Sequence, residues 1–161
     1  MPVTHASFAI DKTYPHPLAK VFAAFAEPSL RAKWQSPEGV ARPGDHIAFE
    51  FKVGGKESAR WVMGDNTPFP GAVISSEGIF LDIVDQQRIV CASNMMMNGT
   101  PFSGSLLSFE FTEEDGGTRL TCTHQGAFFE NSDGPEMRKD GWEKLLMSLA
   151  AFLAKAPDSS H

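Results

Sequence analysis

His124 is the side chain best placed to do chemistry in this 161-residue sequence. It follows Leu120 and Cys122 at a spacing of two, and alternate residues of a β-strand point to the same face. We therefore expect its imidazole to point toward the apolar interior. A histidine there is either a buried ring satisfied by neighbouring groups, or a polar handle or general acid–base for a bound molecule. No carboxylate stands at a fixed spacing to pair with it, so these alternatives stay open.

Motifs for metal binding, phosphate binding and nucleophilic catalysis are missing. The five histidines and two cysteines form neither His-x-x-x-His nor Cys-x-x-Cys spacings, so we predict no metal site and no cofactor. The stretch VGGKES lacks the first glycine of a phosphate loop and the Ser or Thr that follows its lysine. No Gly-x-Ser-x-Gly elbow occurs. Cys91 and Cys122 fall in predicted strands, which favours buried thiols over a reactive nucleophile.

The composition is typical of a soluble single domain. A formal net charge of −6 argues against a nucleic-acid partner, which would need a positive surface. No apolar run reaches the roughly 18 residues that span a bilayer, and the N-terminus lacks the pattern of a secretion signal. We therefore predict a cytoplasmic protein with no nucleic-acid or membrane partner, with one domain over residues 1–156 and a disordered tail over residues 157–161.

Two kinds of apolar spacing alternate along the chain. Pro17 and Pro28 each begin a short helix after the first strand, and the sequence DGWEKLLMSLAAFLAK has the apolar spacing of a long helix over residues 140–155. Period-two alternation predicts the strands. The turns between them are too short for parallel crossovers, so the sheet is antiparallel. The predicted strands cover residues 7–14, 46–53, 58–63, 72–84, 87–95, 106–113 and 118–125.

This order of elements predicts an α+β fold in which a curved antiparallel sheet of six to seven strands wraps around the C-terminal helix. Two short helices after the first strand close one end. Such a sheet hides one apolar face against a helix about 30 Å long, and side chains need not fill the concave space. An empty apolar void of about 300 Å³ would cost about 7 kcal/mol, so we predict a partly polar pocket that accepts a ligand.

The sequence resembles the activator-of-heat-shock-chaperone-ATPase homologue family, a branch of the START-like superfamily with the helix-grip fold. That superfamily includes pollen allergens, lipid-transfer domains and polyketide cyclases. One departure is that Trp34 is followed by Gln35, where many relatives have a second tryptophan. The stretches that resemble the family are TYPHPLAKVFAAFAEPSLRAKW, FEFKVGGKESARWVM, EGIFLDIVDQQRIV, LLSFEFTEEDGGTRLTCTHQGAF and GWEKLLMSLAAFLA.

The resemblance implies a domain that binds a hydrophobic or aromatic small molecule, and we favour such a binding role over an enzyme. Two alternatives follow from the same superfamily: a chaperone cofactor or other protein-binding module, and an enzyme like the polyketide cyclases or hydrolases that would use His124. A homodimer is compatible with the open edges of such a sheet. The residues predicted to line the pocket are Trp34, Phe49, Phe51, Trp61, Met63, Met95, Phe109, Phe111, His124, Phe128, Trp142, Leu145, Leu146 and Leu149.

Overall fold

The computed structural model of the protein describes residues 2–35, 45–67 and 69–157. Within these ranges the chain forms seven strands and three helices. In chain order they are β1 (Thr4–Tyr14), α1 (Leu18–Ala26), α2 (Pro28–Trp34), β2 (His46–Phe49), β3 (Lys56–Val62), β4 (Val73–Val84), β5 (Arg88–Met97), β6 (Thr100–Glu114), β7 (Gly117–Phe128) and α3 (Gly134–Lys155).

The strands form one antiparallel sheet in the order β1-β7-β6-β5-β4-β3-β2. Strands β2 to β7 follow one another as neighbours, and β1 joins the free side of β7. Two of the hairpin turns have positive φ at both central residues, Asn98-Gly99 and Asp115-Gly116. Such turns match the twist of the strands they connect, and Asn-Gly and Asp-Gly are the sequences that favour them. The predicted α+β helix-grip fold with a curved sheet is therefore confirmed.

Helix α3 lies on the concave face of the sheet. Trp142, Leu146, Leu149 and Leu153 recur every three or four residues and are buried, which confirms the predicted apolar face. The hydroxyl of Tyr14 donates a hydrogen bond to the carbonyl oxygen of Leu146 over 3.0 Å. This bond connects the edge strand β1 to the middle of the helix.

The short helices α1 and α2 close one end of the concave face. Val21, Phe22 and Phe25 of α1 are buried against the sheet. The ammonium group of Lys20 donates to the carbonyl oxygens of Leu153 at 2.8 Å and of Ala156 at 2.7 Å. These carbonyls belong to the C-terminal end of α3, where backbone acceptors lack helical partners and a cation is favourable.

Several predicted boundaries were wrong. β2 ends at Phe49 and not at residue 53, because the chain turns away and leaves Val53 exposed. The register of β4 shifts between Phe80 and Asp82, an irregularity that the predicted strand over residues 72–84 did not include. β6 and α3 each begin six residues earlier than predicted, at Thr100 and Gly134. The predicted tail after residue 157 lies outside the described residues, and the predicted domain limits stay a prediction.

Candidate functional site

The predicted lining residues lie on the concave side of the sheet, in two apolar clusters. The larger cluster includes residues from all three helices. The smaller one includes residues from strands β2 to β6 and the adjoining chain. The larger cluster contains Trp34, Phe49, Phe51, Phe109, Phe111, Trp142, Leu145, Leu146 and Leu149. The smaller cluster contains Trp61, Met63 and Met95. Thus most of the predicted residues come together, but in two groups rather than around one space.

Aromatic rings fill the larger cluster. The ring centroid of Phe25 lies 4.9 Å from those of both Trp34 and Phe109, and Phe109 lies 5.6 Å from Trp142. The indole N–H of Trp34 donates to the carbonyl oxygen of Ala24 over 2.9 Å. These contacts are typical of a packed core, since rings at 4.5–7 Å attract each other in tilted and edge-to-face geometries. This end of the concave face therefore stabilises the fold.

A row of small residues crosses the concave face between the two clusters. Gly78, Ser93, Ser105 and Gly126 are cross-strand partners in register on β4, β5, β6 and β7. We call these four residues the floor row. Because their side chains are short or absent, longer side chains from neighbouring positions can lie flat over them.

One polar side chain lies over each end of the floor row. A Cβ atom on Gly78 would lie 2.9 Å from Oε1 of Glu57, and a Cβ atom on Gly126 would lie 2.7 Å from Cε1 of His124. The carboxylate therefore lies over β4 and the imidazole over β7. At about 4.8 Å between neighbouring strands, the two ends are about 14 Å apart along the sheet. Ser93 and Ser105 lie between them.

His124 belongs to a buried network that begins on α3. Its ring stacks on Phe8, with centroids 4.8 Å apart, and lies 5.8 Å from the ring of Phe128. Its Nε2 atom is 3.3 Å from Nη1 of Arg138. Arg138 also donates to both carboxylate oxygens of Asp133 at 2.7 and 2.9 Å, and Ser103 Oγ accepts a bond of 2.8 Å from its Nη2.

This network determines which hydrogen bonds the ring nitrogens of His124 can make. A guanidinium only donates hydrogen bonds, so Nε2 of His124 must be the acceptor and the ring proton must reside on Nδ1. Burial and, second, the positive charge of Arg138 lower the pKa of His124 to about 4, so the ring is neutral near pH 7. Its Nδ1 is buried and has no hydrogen-bond partner on any other described residue. An interaction of the ring with the residue's own backbone opposes the lowering of the pKa. The ring therefore presents a hydrogen-bond donor at Nδ1. The lone pair on Nε2, which a general base would need, already accepts the hydrogen bond from Arg138.

A second buried cation lies at the opposite end of the floor row. Arg31 of α2 is 5% exposed, and its guanidinium carbon lies 4.9 Å from the ring centroid of Phe49 and 5.7 Å from that of Phe25. Its Nη1 is 3.5 Å from a carboxylate oxygen of Glu57. Burial lowers the pKa of Arg31, and the charge of Glu57 opposes this effect. Its Nε and Nη2 atoms are buried without a partner in the described part of the chain.

Ser105 adds another unsatisfied group in the middle of the floor row, because its buried Oγ has no partner among the described residues. The thiols nearby are inert. Burial, followed by the charge of Glu57, raises the pKa of Cys91 to about 12, and burial raises the pKa of Cys122 to about 12. Neither thiol is ionised near neutral pH, so neither is an activated nucleophile.

The sequence predicted His124 and Phe128, but the other polar residues along the floor row were missed. Arg138 and Ser105 lie in the early parts of α3 and β6 that the predicted boundaries left out. Arg31 could have been found, because it precedes Trp34 by three residues and so shares the buried face of α2. Glu57 precedes buried Trp61 by four residues in a strand, which places both on one face.

The convex face of the sheet has two shallow, open depressions, with volumes of about 400 and 530 Å³. The first is lined by outer residues such as Gly104 and also by Ser105 and Gly126 of the floor row. The second is lined by outer residues such as Ile79 and also by Gly78, Ser93 and Ser105. No helix residue lines either depression. The described His, Cys, Asp and Glu side chains form no group of three that could hold a metal ion. In the same ranges, no helix combines the length and the hydropathy that crossing a bilayer requires.

Comparison with known proteins identifies relatives over nearly the whole chain. The family model described as Activator of Hsp90 ATPase homolog 1-like protein matches residues 15–154. A protein from Rhizobium loti is 38% identical, with a TM-score of 0.82, and the match covers 94% of this chain and 99% of that one. An uncharacterised protein from Rhizobium leguminosarum is 28% identical, with a TM-score of 0.87 over 96% and 98% of the two chains. No curated protein matches significantly.

Proposed function

We propose that this chain, which belongs to the Activator of Hsp90 ATPase homolog 1-like family, binds a small organic molecule over the floor row. The molecule has a hydrophobic or aromatic body and at least one oxygen that accepts hydrogen bonds. The observation that carries the proposal is the set of buried donors without partners around the floor row, above all Nδ1–H of His124 and the hydroxyl of Ser105.

The cost of these unsatisfied groups supports a bound partner. Leaving one buried donor unpaired costs about 1–3 kcal/mol, and most proteins leave few of them. Such groups accumulate where a ligand or ordered water completes their hydrogen bonds. Here they occur on different elements, with His124 on β7 and Ser105 on β6, yet they surround one row of the sheet.

The apolar side chains beside the floor row suit the body of such a ligand. Phe128 and Met95 belong to the row of residues on one side of the floor row, and Leu107 belongs to the row on the other side. Methionine adapts to ligands of different shape, and aromatic rings supply a large contact area. The combination of an apolar wall and a few donors is the usual composition of a small-molecule site.

Native mass spectrometry of freshly purified protein tests for a retained molecule and also reports the number of subunits. A binding experiment then compares 2-acetonaphthone with 2-ethylnaphthalene, which has nearly the same body but no acceptor oxygen. We expect the ketone to bind about tenfold more tightly, which corresponds to about 1.4 kcal/mol and is within the range of one or two hydrogen bonds. Backbone NMR shifts should identify the floor row as the contact.

His124→Phe is the informative variant, because it keeps an aromatic ring between Phe8 and Phe128 but removes the Nδ1–H donor. Its control is His5→Phe, at an exposed position on the edge strand. We expect His124→Phe to reduce the preference for the ketone severalfold and His5→Phe to preserve it. The proposal fails if neither compound shifts the resonances of the floor row and no molecule is retained.

A further inference from the structure

Arg31 is the buried cation whose hydrogen bonds the protein leaves incomplete. Its guanidinium lies against the rings of Phe25 and Phe49, and only Nη1 approaches a carboxylate, that of Glu57 at 3.5 Å. The edge formed by Nε and Nη2 is buried and has no partner among the described residues. This edge carries two parallel N–H groups, the geometry that a carboxylate accepts with both oxygens.

Arg138 provides an internal comparison, because it is buried to a similar degree in the same domain. Its Nε and Nη2 donate to the two oxygens of Asp133 at 2.7 and 2.9 Å. Its remaining hydrogen bonds go to Ser103 and His124, and its guanidinium also lies over the rings of Phe102 and Phe128. The chain thus supplies an acceptor for every nitrogen of one buried arginine, including a carboxylate at the Nε–Nη2 edge. It supplies no such carboxylate to the same edge of Arg31 among the described residues. A purely structural arginine would be expected to resemble Arg138.

The charge around Arg31 supports a monoanion as the missing partner. The contact with Glu57 is long and uses one nitrogen, and burial lowers the pKa of Arg31, so its positive charge is incompletely compensated. A dianionic phosphate would bring a second charge close to Glu57, at a cost in a buried site. A single planar carboxylate fits both the geometry of the free edge and the charge.

We propose that the ligand of the floor row is a carboxylic acid whose carboxylate binds the Nε–Nη2 edge of Arg31. This inference rests on the proposed function. The apolar body then extends along the floor row toward β7. An acceptor at its far end receives the Nδ1–H group of His124. Glu57 holds the guanidinium through Nη1 and leaves the opposite edge to the ligand.

The test compares 2-naphthoate with 2-naphthamide by isothermal titration calorimetry at pH 7.5. The two probes have the same body and differ in the charge and in the acceptor edge. We expect the acid to bind at least tenfold more tightly than the amide. In Arg31→Gln this preference should disappear, because the acid loses affinity while the amide does not. The control Arg88→Gln removes a half-exposed arginine paired with Asp82, and should leave the preference intact.

The outcomes separate this inference from the proposed function. If acid and amide bind equally, and Arg31→Gln changes neither, the carboxylate assignment is overturned while the small-molecule site stands. If neither probe nor the neutral ketone binds, the proposed function itself fails. Should Arg31→Gln not fold, the ratio of acid to amide in the unaltered protein still decides the question. In that case Glu57→Gln serves as the second variant, and it should tighten acid binding several-fold by removing the nearest negative charge.

Discussion

Lowering the pH should destabilise this domain through protonation of His124, at pH values where the carboxylates of the domain are still ionised. The imidazole is 1% exposed, stacks between Phe8 and Phe128, and accepts a hydrogen bond from Arg138. Protonation would place a second positive charge beside the guanidinium and remove its acceptor. For these reasons the folded protein holds the pKa of His124 near 4, against an ordinary value of 6.5.

The size of the effect follows from linkage. Between pH 6.5 and pH 4 the unfolded chain binds a proton at this histidine and the folded chain does not, so stability rises with pH in that window. The contribution is fully present above pH 6.5 and is lost as the pH falls toward 4. At 1.36 kcal/mol per pKa unit, the free energy of unfolding should fall by about 2.5 kcal/mol between pH 7.5 and pH 4.5 because of this group.

Urea denaturation at a series of pH values measures this loss. His124→Phe retains the ring stack but cannot be protonated, so it should reduce the loss by about 2.5 kcal/mol. His5→Phe, on the exposed edge strand, should follow the unaltered protein. NMR titration of the Cε1 proton gives the pKa of His124 directly, and the ¹⁵N shifts should identify the tautomer with its proton on Nδ1.

Two results would refute the reasoning. One is a pKa of 6 or higher for His124 in the folded protein, which would mean that the imidazole is hydrated or paired with an anion. The other is an identical pH dependence of stability in His124→Phe and in the unaltered protein. Either result would also remove the basis for a fixed donor at Nδ1 and would weaken the proposed contact with the ligand.

Three further predictions concern the same face of the sheet. Ser105→Ala should raise the unfolding free energy of the ligand-free protein by about 1 kcal/mol, because it removes an unsatisfied buried hydroxyl, and it should also weaken ketone binding. Thermal denaturation measures the first effect and calorimetry the second, with Ser108→Ala on the same strand as the control. Gly126→Ala should destabilise by about 1–3 kcal/mol in urea, because its Cβ would lie 2.7 Å from the ring of His124. Cys91 should react with a thiol reagent at pH 8 only after denaturation, since its pKa is about 12; rapid alkylation of the folded protein would contradict this.

Much of the fold follows from the sequence because its signals are local. Alternating residues such as Leu107, Phe109 and Phe111 are all buried on one face, as the period-two pattern predicts. The turns at Asn98-Gly99 and Asp115-Gly116 identify two hairpins, because these sequences tolerate positive φ. Together these patterns predict antiparallel hairpins and the face that α3 covers.

The polar part of the candidate site was harder to predict, since it depends on residues that interrupt the local patterns. Pro101 and Gly104 weaken the strand signal at the start of β6, so Ser105 was left outside it. The first turns of α3 are polar, and Pro135 was the available signal that the helix begins before the apolar spacing does. Arg138 was missed for that reason. Contacts between elements, such as Arg138 with His124, have no sequence period at all.

The unsatisfied groups are best understood as a cost that the ligand-free protein bears. Apolar residues of similar volume at Arg31 and Ser105 would avoid the penalty of buried, unpaired donors and would in general stabilise the fold. Arg138 shows that this chain can supply an acceptor for every nitrogen of a buried guanidinium from its own side chains. The presence of both arginines on one concave face is therefore expected if Arg138 stabilises the fold and Arg31 binds a ligand. A ligand at one hundred times its Kd would stabilise the domain by about 2.7 kcal/mol, comparable to the penalty of one or two unpaired donors.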